Sequence, residues 1–180
     1  MGFRKLRKRD QLSDIEDEDH QDRLESMAAL AQFLRQARRA VVFTGAGCST
    51  ESGIPDFRSP GGFWTKYMPI DFGEFVSSPE ARREAWRRRF AGDDMYAAAK
   101  PNAGHLAIAQ LVGRGLVTEI ITQNIDNLHQ ESGVPVERVI ELHGNTRYAK
   151  CLRCGVHSPL EPIREYFEAH GDPPGCMSCG

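Results

Sequence analysis

The sequence predicts an α/β protein built on a parallel sheet, with a helical insertion and a small cysteine-rich module. Three observations predict it. Apolar, β-branched runs at 40–44, 117–122 and 138–142 alternate with helical patterns, and that alternation builds parallel sheets. Each run ends in a polar motif: Gly45-Ala46-Gly47, then Gln123-Asn124-Ile125-Asp126, then His143-Gly144-Asn145. Two Cys-x-x-Cys pairs follow near the end of the chain, Cys151/Cys154 and Cys176/Cys179.

The elements follow in order. Residues 1–22 read as a disordered, charged tail, because Arg4 to Arg9 is basic, Asp10 to Asp22 is acidic, and too little of it is apolar to bury. From Arg23 to Arg39, Leu24, Met27, Ala28, Ala31 and Leu34 recur at helical spacing, predicting a helix that packs on the sheet. Ala40–Thr44 is the first strand. Residues 59–75 look irregular, with Phe63, Trp64, Tyr67, Phe72 and Phe75 forming a small core of their own. Ser78-Pro79 is a helix start, an N-cap followed by proline at the first helical position, and Gly92 is its stop. Arg82, Arg83, Arg87, Arg88 and Arg89 on this helix suit either an acidic ligand or a charged exposed face, and the interspersed Glu80 and Glu84 favour the face. A further helix spans about 103–111, and another about 160–169 between the cysteine pairs. The expected divisions are 1–22, then 23–145 with a helical insertion at about 60–100, then 146–180.

The glycine turn excludes one chemistry. A dehydrogenase fingerprint needs a third glycine three residues after the second, and Thr50 stands there. Gly45 and Gly47 still let backbone N–H groups approach a phosphate. Because ligands of open parallel sheets bind beyond the carboxyl ends of the strands, the three polar motifs should line one crevice.

Five cysteines are present, and 21 residues separate the two pairs, a spacing close to that of zinc ribbons. Four thiolates make a closed, structural zinc site, so Cys151, Cys154, Cys176 and Cys179 are the expected ligands. A redox pair would not need four. Cys48 reads as a small, partly buried residue. No secretory signal is visible, so the cytoplasm is the expected location. Net charge −2 and the absence of a long apolar run argue for neither a nucleic-acid nor a membrane partner.

The stretch Gly45 to Arg58, with Thr122 to His129, His143 to Asn145 and the cysteine array in the same order, resembles the sirtuins, the NAD-dependent protein deacylases. The resemblance implies a Rossmann-like parallel sheet, incomplete here, with a small helical zinc-ribbon module. It implies NAD as co-substrate and acylated lysine side chains of proteins as partners. It places Gly45, Ala46, Gly47 and Ser49 at a pyrophosphate. Asp56, Phe57 and Arg58 fall on a loop covering the cofactor, and Gln123, Asn124, Ile125 and Asp126 at nicotinamide and ribose. His143 becomes the general base, for which a histidine's ordinary pKa near 6.5 is suited. Asn124 and Asp126 share the catalytic set. The acetyl group passes to ADP-ribose and nicotinamide leaves. Taken alone, His143 would be a strand-end histidine that only hydrogen-bonds. His105 and His129 receive no catalytic role, and His20, His157 and His170 are expected in solvent.

The family's chain returns from the zinc module to complete the sheet with a Gly-Thr-Ser loop, and Gly180 comes before any such return. The sequence is therefore read as a fragment, inactive by itself. No Tyr-x-x-Arg pair lies between Tyr67 and Lys100, which favours uncharged acyl groups over succinyl or malonyl. Mono-ADP-ribosyl transfer and a non-catalytic zinc-ribbon interaction module are the alternatives.

Overall fold

The computed structural model describes the backbone of residues 7–180, and the side chains of that stretch apart from residues 7–20 and Lys66. The chain divides into two compact units, one up to Ala40 and one from Val41. The first holds α1, Arg7–Gln36. Residues 7–22, expected as a tail, are thus helical, while residues 1–6 of that tail lie outside the described residues. No proline or glycine interrupts the stretch, so its charges do not break the helix. Gln21 Nε2 donates to Glu25 Oε1 at 3.0 Å, one turn further on.

Strand β1, Ala40–Thr44, leads into a 3-10 turn over Ala46–Ser52 that Gly53 closes at φ 86°. Then come α2, Phe63–Lys66; α3, Phe72–Ser77; α4, Pro79–Ala91; and α5, Asp93–Ala98. Helix α6, Ala103–Gly113, precedes β2, Val117–Thr122. Helix α7, Leu128–Glu131, and a 3-10 turn at Val136–Arg138 lead to β3, Val139–Glu141. The module consists of β4, Tyr148–Lys150, β5, His157–Pro159, and α8, Leu160–His170.

The larger sheet runs β1-β2-β3. Strands β2 and β3 pair in parallel, Ile120 opposite Val139 and Thr122 opposite Glu141. Gln123 N donates to Thr44 O at 3.0 Å, and Leu142 N to Thr122 O at 2.9 Å, so all three strands end along one edge. That edge is where the polar motifs meet. Strand β3 is shorter than expected because Arg138 belongs to the preceding turn. Val117, Ile120, Leu128 and Val134 are buried, and Ile54, Ala99 and Leu128 form a cluster with Met95 and Tyr96 against it.

The long helices start where their caps say. Ser78 Oγ accepts from Ala81 N at 3.2 Å, Pro79 fills the first helical position, and Gly92 ends α4. At α6, Asn102 Oδ1 accepts from Gly104 N and His105 N, while His105 Nδ1 accepts from Asn102 N in return. The α4 arginines are all engaged: Arg82 with the Phe75 and Val76 carbonyls, Arg83 with Glu80 and Asp172, Arg87 and Arg88 with Glu84, and Arg89 with Asp93. Only Arg87 of the five is exposed and the rest are half-buried, so the arginines brace the helix against its surroundings more than they form the solvated face expected. The aromatics of 59–75 form no core of their own, since Trp64, Tyr67 and Phe72 are exposed. No described helix is long and apolar enough to cross a membrane.

Candidate functional site

A cavity of about 270 Å³ opens at the shared edge of the strands. Ala46, Ser49, Phe57, Gln123, Asn124, Ile125, Asp126 and His143 line it, so all three strand-end motifs contribute. Ile54, Pro55, Phe63 and Tyr96, not expected as site residues, complete the wall. Gly45, Gly47, Asp56 and Arg58 do not line it.

The floor is a polar chain. Asn124 Nδ2 donates to Gly45 O and to Ser49 Oγ, each at 3.0 Å. Ser49 Oγ donates onward to Asp126 Oδ2 at 2.7 Å, and Asp126 Oδ1 accepts from Leu128 N at 3.0 Å. Ser49 is buried, so its hydroxyl fixes Asn124 and Asp126 where the sequence reading had it facing a pyrophosphate. The next residue, Asn127, is the one described non-glycine with positive φ, at 64°. Asparagine tolerates that region, and its Nδ2 donates to Thr146 Oγ1 at 2.9 Å. This bend returns the chain after Asp126 into α7.

His143 stands just past β3, exposed at the cavity. Its Nδ1 lies 3.0 Å from Gln123 O. A carbonyl oxygen only accepts, so Nδ1 carries the proton and Nε2 of the neutral ring keeps a lone pair. Gly144 follows at φ 73°, a conformation glycine adopts without strain. Asn145 then anchors the motif, its Nδ2 donating to both oxygens of Glu141 at 3.0 Å.

The 56–63 loop folds over one side. Asp56 accepts from the Ser59 hydroxyl and from Ser59 N, and these bonds hold its carboxyl below the usual range. Phe57 contacts Phe63 and Trp64, at centroid distances of 5.8 and 5.5 Å. Arg58 lies over the Trp64 ring at 4.6 Å. Gly62 is the tight point, since a Cβ there would sit 2.7 Å from Asp56 O. By contrast, Gly45 is extended at φ −138°, and a Cβ on Gly47 would meet nothing within 4 Å. The protein itself therefore demands glycine at neither position, and the room beside Gly47 is open to a ligand.

The four paired cysteines converge as expected. Cys151 Sγ and Cys179 Sγ are 3.8 Å apart, Cys154 Sγ and Cys176 Sγ 3.6 Å, and all four lie within 4.8 Å of one another. A tetrahedron with zinc–sulfur bonds of about 2.3 Å has edges of about 3.8 Å, so the donor set fits zinc. Backbone N–H groups of Cys154 and Arg153 draw the Cys151 thiol down to about 6. Those of Ser178 and Cys179 lower Cys176, whereas hydrogen bonding with Cys154 pushes Cys179 up to about 12. Zinc would supply the positive charge that lets all four ionise together. The β4–β5 hairpin supports the site, with Tyr148 stacked on His157 at 4.3 Å. Phe167 of α8 meets Phe90 of α4 at 5.6 Å and ties the module to the rest of the second unit.

A buried cluster under the glycine turn had no prominent signal in the sequence. His129 Nε2 lies 2.8 Å from Thr44 Oγ1, and Thr44 Oγ1 donates to Thr122 Oγ1 at 2.9 Å. His105 stacks obliquely on His129 at 5.0 Å, with Cys48 beside it. Burial lowers His105, and burial followed by the His105 neighbour pushes His129 down to about 4. Burial, then Asp126, raises the Cys48 thiol. The positions 48, 105 and 129 share no spacing pattern, and only the fold joins them.

Comparisons with known proteins match this geometry. An NAD-dependent protein deacetylase of Rhodopseudomonas palustris is 55% identical over 150 residues, covering 83% of this chain and 59% of the relative. NAD-dependent protein deacetylase 1 of Bradyrhizobium diazoefficiens matches with the same identity and coverage. The chain thus spans about 59% of the length of these relatives. A solved structure of Sir2 with a p53 peptide and NAD+ superposes at TM-score 0.71 with 38% identity, over 85% of this chain and 60% of that one. Sir2 bound to an acetylated peptide gives TM-score 0.69 with 37% identity, over 85% and 59%. The Sir2 family model matches residues 45–180, a stretch that runs from the glycine turn through the cavity residues to the cysteine tetrad, and the chain belongs to the Sir2 family.

Proposed function

We propose that the whole protein is an NAD-dependent protein-lysine deacetylase that transfers the acetyl group to ADP-ribose and releases nicotinamide. The observation that carries this reading is His143, whose bare Nε2 stands at a cavity floored by Asn124, Ser49 and Asp126. Bound NAD would supply a ribose carbon whose bond to nicotinamide breaks. Asn124 and Asp126, held by Ser49, orient the nicotinamide end. His143 accepts a proton at Nε2, with its ring held by the Gln123 carbonyl. Phe57, backed by Phe63 and Trp64, excludes water from the ribose side. A cavity of about 270 Å³ suits one end of a dinucleotide, with the rest lying along the open glycine turn. The names of the relatives and the NAD- and peptide-bound neighbours support the same reading. Acyl-lysine side chains of proteins are the proposed partners. The cytoplasm is the proposed location, where the five thiols stay reduced.

The test is to incubate the whole protein with labelled NAD and an acetyl-lysine peptide. Nicotinamide and acetylated ADP-ribose should appear together. Label transferred to protein, with no acetylated ADP-ribose, would establish ADP-ribosyl transfer instead. No nicotinamide release would leave a zinc-ribbon binding protein.

A further inference from the structure

The cluster beneath the glycine turn has chemistry that the dinucleotide reading does not use. His105 and His129 are 0% and 1% exposed. Cys48 Sγ lies 3.9 Å from His105 Nε2, and one ligand atom from each of the three residues falls within 4.8 Å of the others. The hydrogen-bond chain fixes the tautomer of His129. Thr44 spends its hydroxyl proton on Thr122 Oγ1, so its own oxygen accepts from His129 Nε2. Nε2 therefore holds the proton, and Nδ1 holds a lone pair. That Nδ1 is buried with no hydrogen-bond partner among the described residues. A buried acceptor without a donor forfeits its solvation, which an electron-pair acceptor at Nδ1 would restore.

We propose that Cys48, His105 and His129 form a second metal site, separate from the cysteine tetrad, for a zinc-class d10 cation. One thiolate and two imidazoles make a borderline-soft donor set, and that set suits zinc. Ligands at about 2.0–2.3 Å from one ion stand about 3.3–3.8 Å apart. The Cys48–His105 separation of 3.9 Å is already close to that, and the third donor lies within 4.8 Å of both. The Asp126 carboxylate acts electrostatically on all three side chains, adding negative charge beside the cation. Cys48 is only partly buried, which leaves a route of entry. On binding, Cys48 loses its proton to solvent. His105 Nε2 gives its proton up as Nδ1 takes one, and the long 3.4 Å bond from Asn102 N is released. Three protein ligands leave the fourth position to water.

Metal content after equilibration with zinc and removal of excess tests this on the 180-residue chain. Two zinc ions per chain are expected, and Cys48→Ser and His129→Gln should each retain one. One ion per wild-type chain, or two in Cys48→Ser, overturns the proposal. Should either variant fail to fold, cadmium-113 NMR of the wild type decides. A tetrathiolate resonance joined by a second one well upfield, from one thiolate and two imidazoles, supports the site. A tetrathiolate resonance alone overturns it. Neither readout depends on NAD.

Discussion

At the scale of single residues, protonation states are set by what each ring faces. His143 offers a lone pair to the cavity because the Gln123 carbonyl consumes its Nδ1 proton. In the whole protein, on the proposed function, His143→Ala should therefore lower deacetylation by roughly 10²–10⁴-fold while leaving NAD affinity largely intact. Equal losses of rate and affinity would show that the ring only supports the fold. His129 carries a different prediction. Its pKa falls from 6.5 unfolded to about 4 folded, so between those values the unfolded chain binds the extra proton. Stability contributed by the neutral ring is complete above about pH 6.5 and is lost as pH drops toward 4. The loss should be on the order of 2 kcal/mol between pH 7.5 and 4.5. Denaturant unfolding of the zinc-free chain at both pH values should show a shallower slope in His129→Gln, whose amide can still donate to Thr44. An unchanged slope would remove His129 as the source. The place of His143 at the strand-end cavity was legible because it follows a strand and precedes Gly144-Asn145. His129 was not, because its orphaned nitrogen depends on threonines 78 residues apart in sequence.

Among the elements, legibility followed length and caps. Helices α4 and α6 carry Ser78, Pro79, Gly92 and Asn102 as punctuation, and their bounds match the expected ones closely. Helices α2, α3, α5 and α7, of four to six residues, are too short to show a period. Their positions depend on tertiary contacts, as when Met95 and Tyr96 of α5 pack against Ile54 and Leu128. The 56–63 loop is likewise set by contact, and Gly62 is where it is most exacting. Gly62→Ala should destabilise by roughly 1–3 kcal/mol, since its Cβ meets backbone that cannot yield cheaply. It should also shift Trp64 emission as Phe57 and Trp64 separate; unchanged emission and melting would show the loop indifferent to Gly62. The cysteine tetrad was the most legible feature, because ligand spacing is written directly in sequence. Cys151→Ser should lose the tetrad's zinc and increase hydrogen exchange across β4 and β5, since metal binding contributes folding free energy. Undiminished protection there would mean the hairpin stands without metal.

For the molecule as a whole, the telling quantity is apolar surface on the sheet, as expected of a sheet read as incomplete. Val41 and Phe43 of β1 are 54% and 60% exposed, and Ile140 and Leu142, at the end of β3, are 47% and 51% exposed. Residues two apart share a face of a strand, so each pair presents a continuous apolar strip. Strands β1 and β3 are also the outer strands of the three, and outer strands offer backbone groups for further pairing. Parallel sheets ordinarily cover both faces, and a covered strand reads as an unbroken apolar run, as Ala40–Thr44 does. The sequence therefore showed which residues want burial, and only the structure shows that these four lack it. Exposed strips of this kind drive association. The 180-residue chain should show concentration-dependent self-association by sedimentation velocity. Phe43→Thr with Ile140→Thr should weaken it, because threonine keeps the strand propensity while removing apolar area. A wild-type chain that stays monomeric at every concentration tested would mean that the strips are covered in solution. Association left unchanged by the double substitution would move its cause elsewhere on the surface.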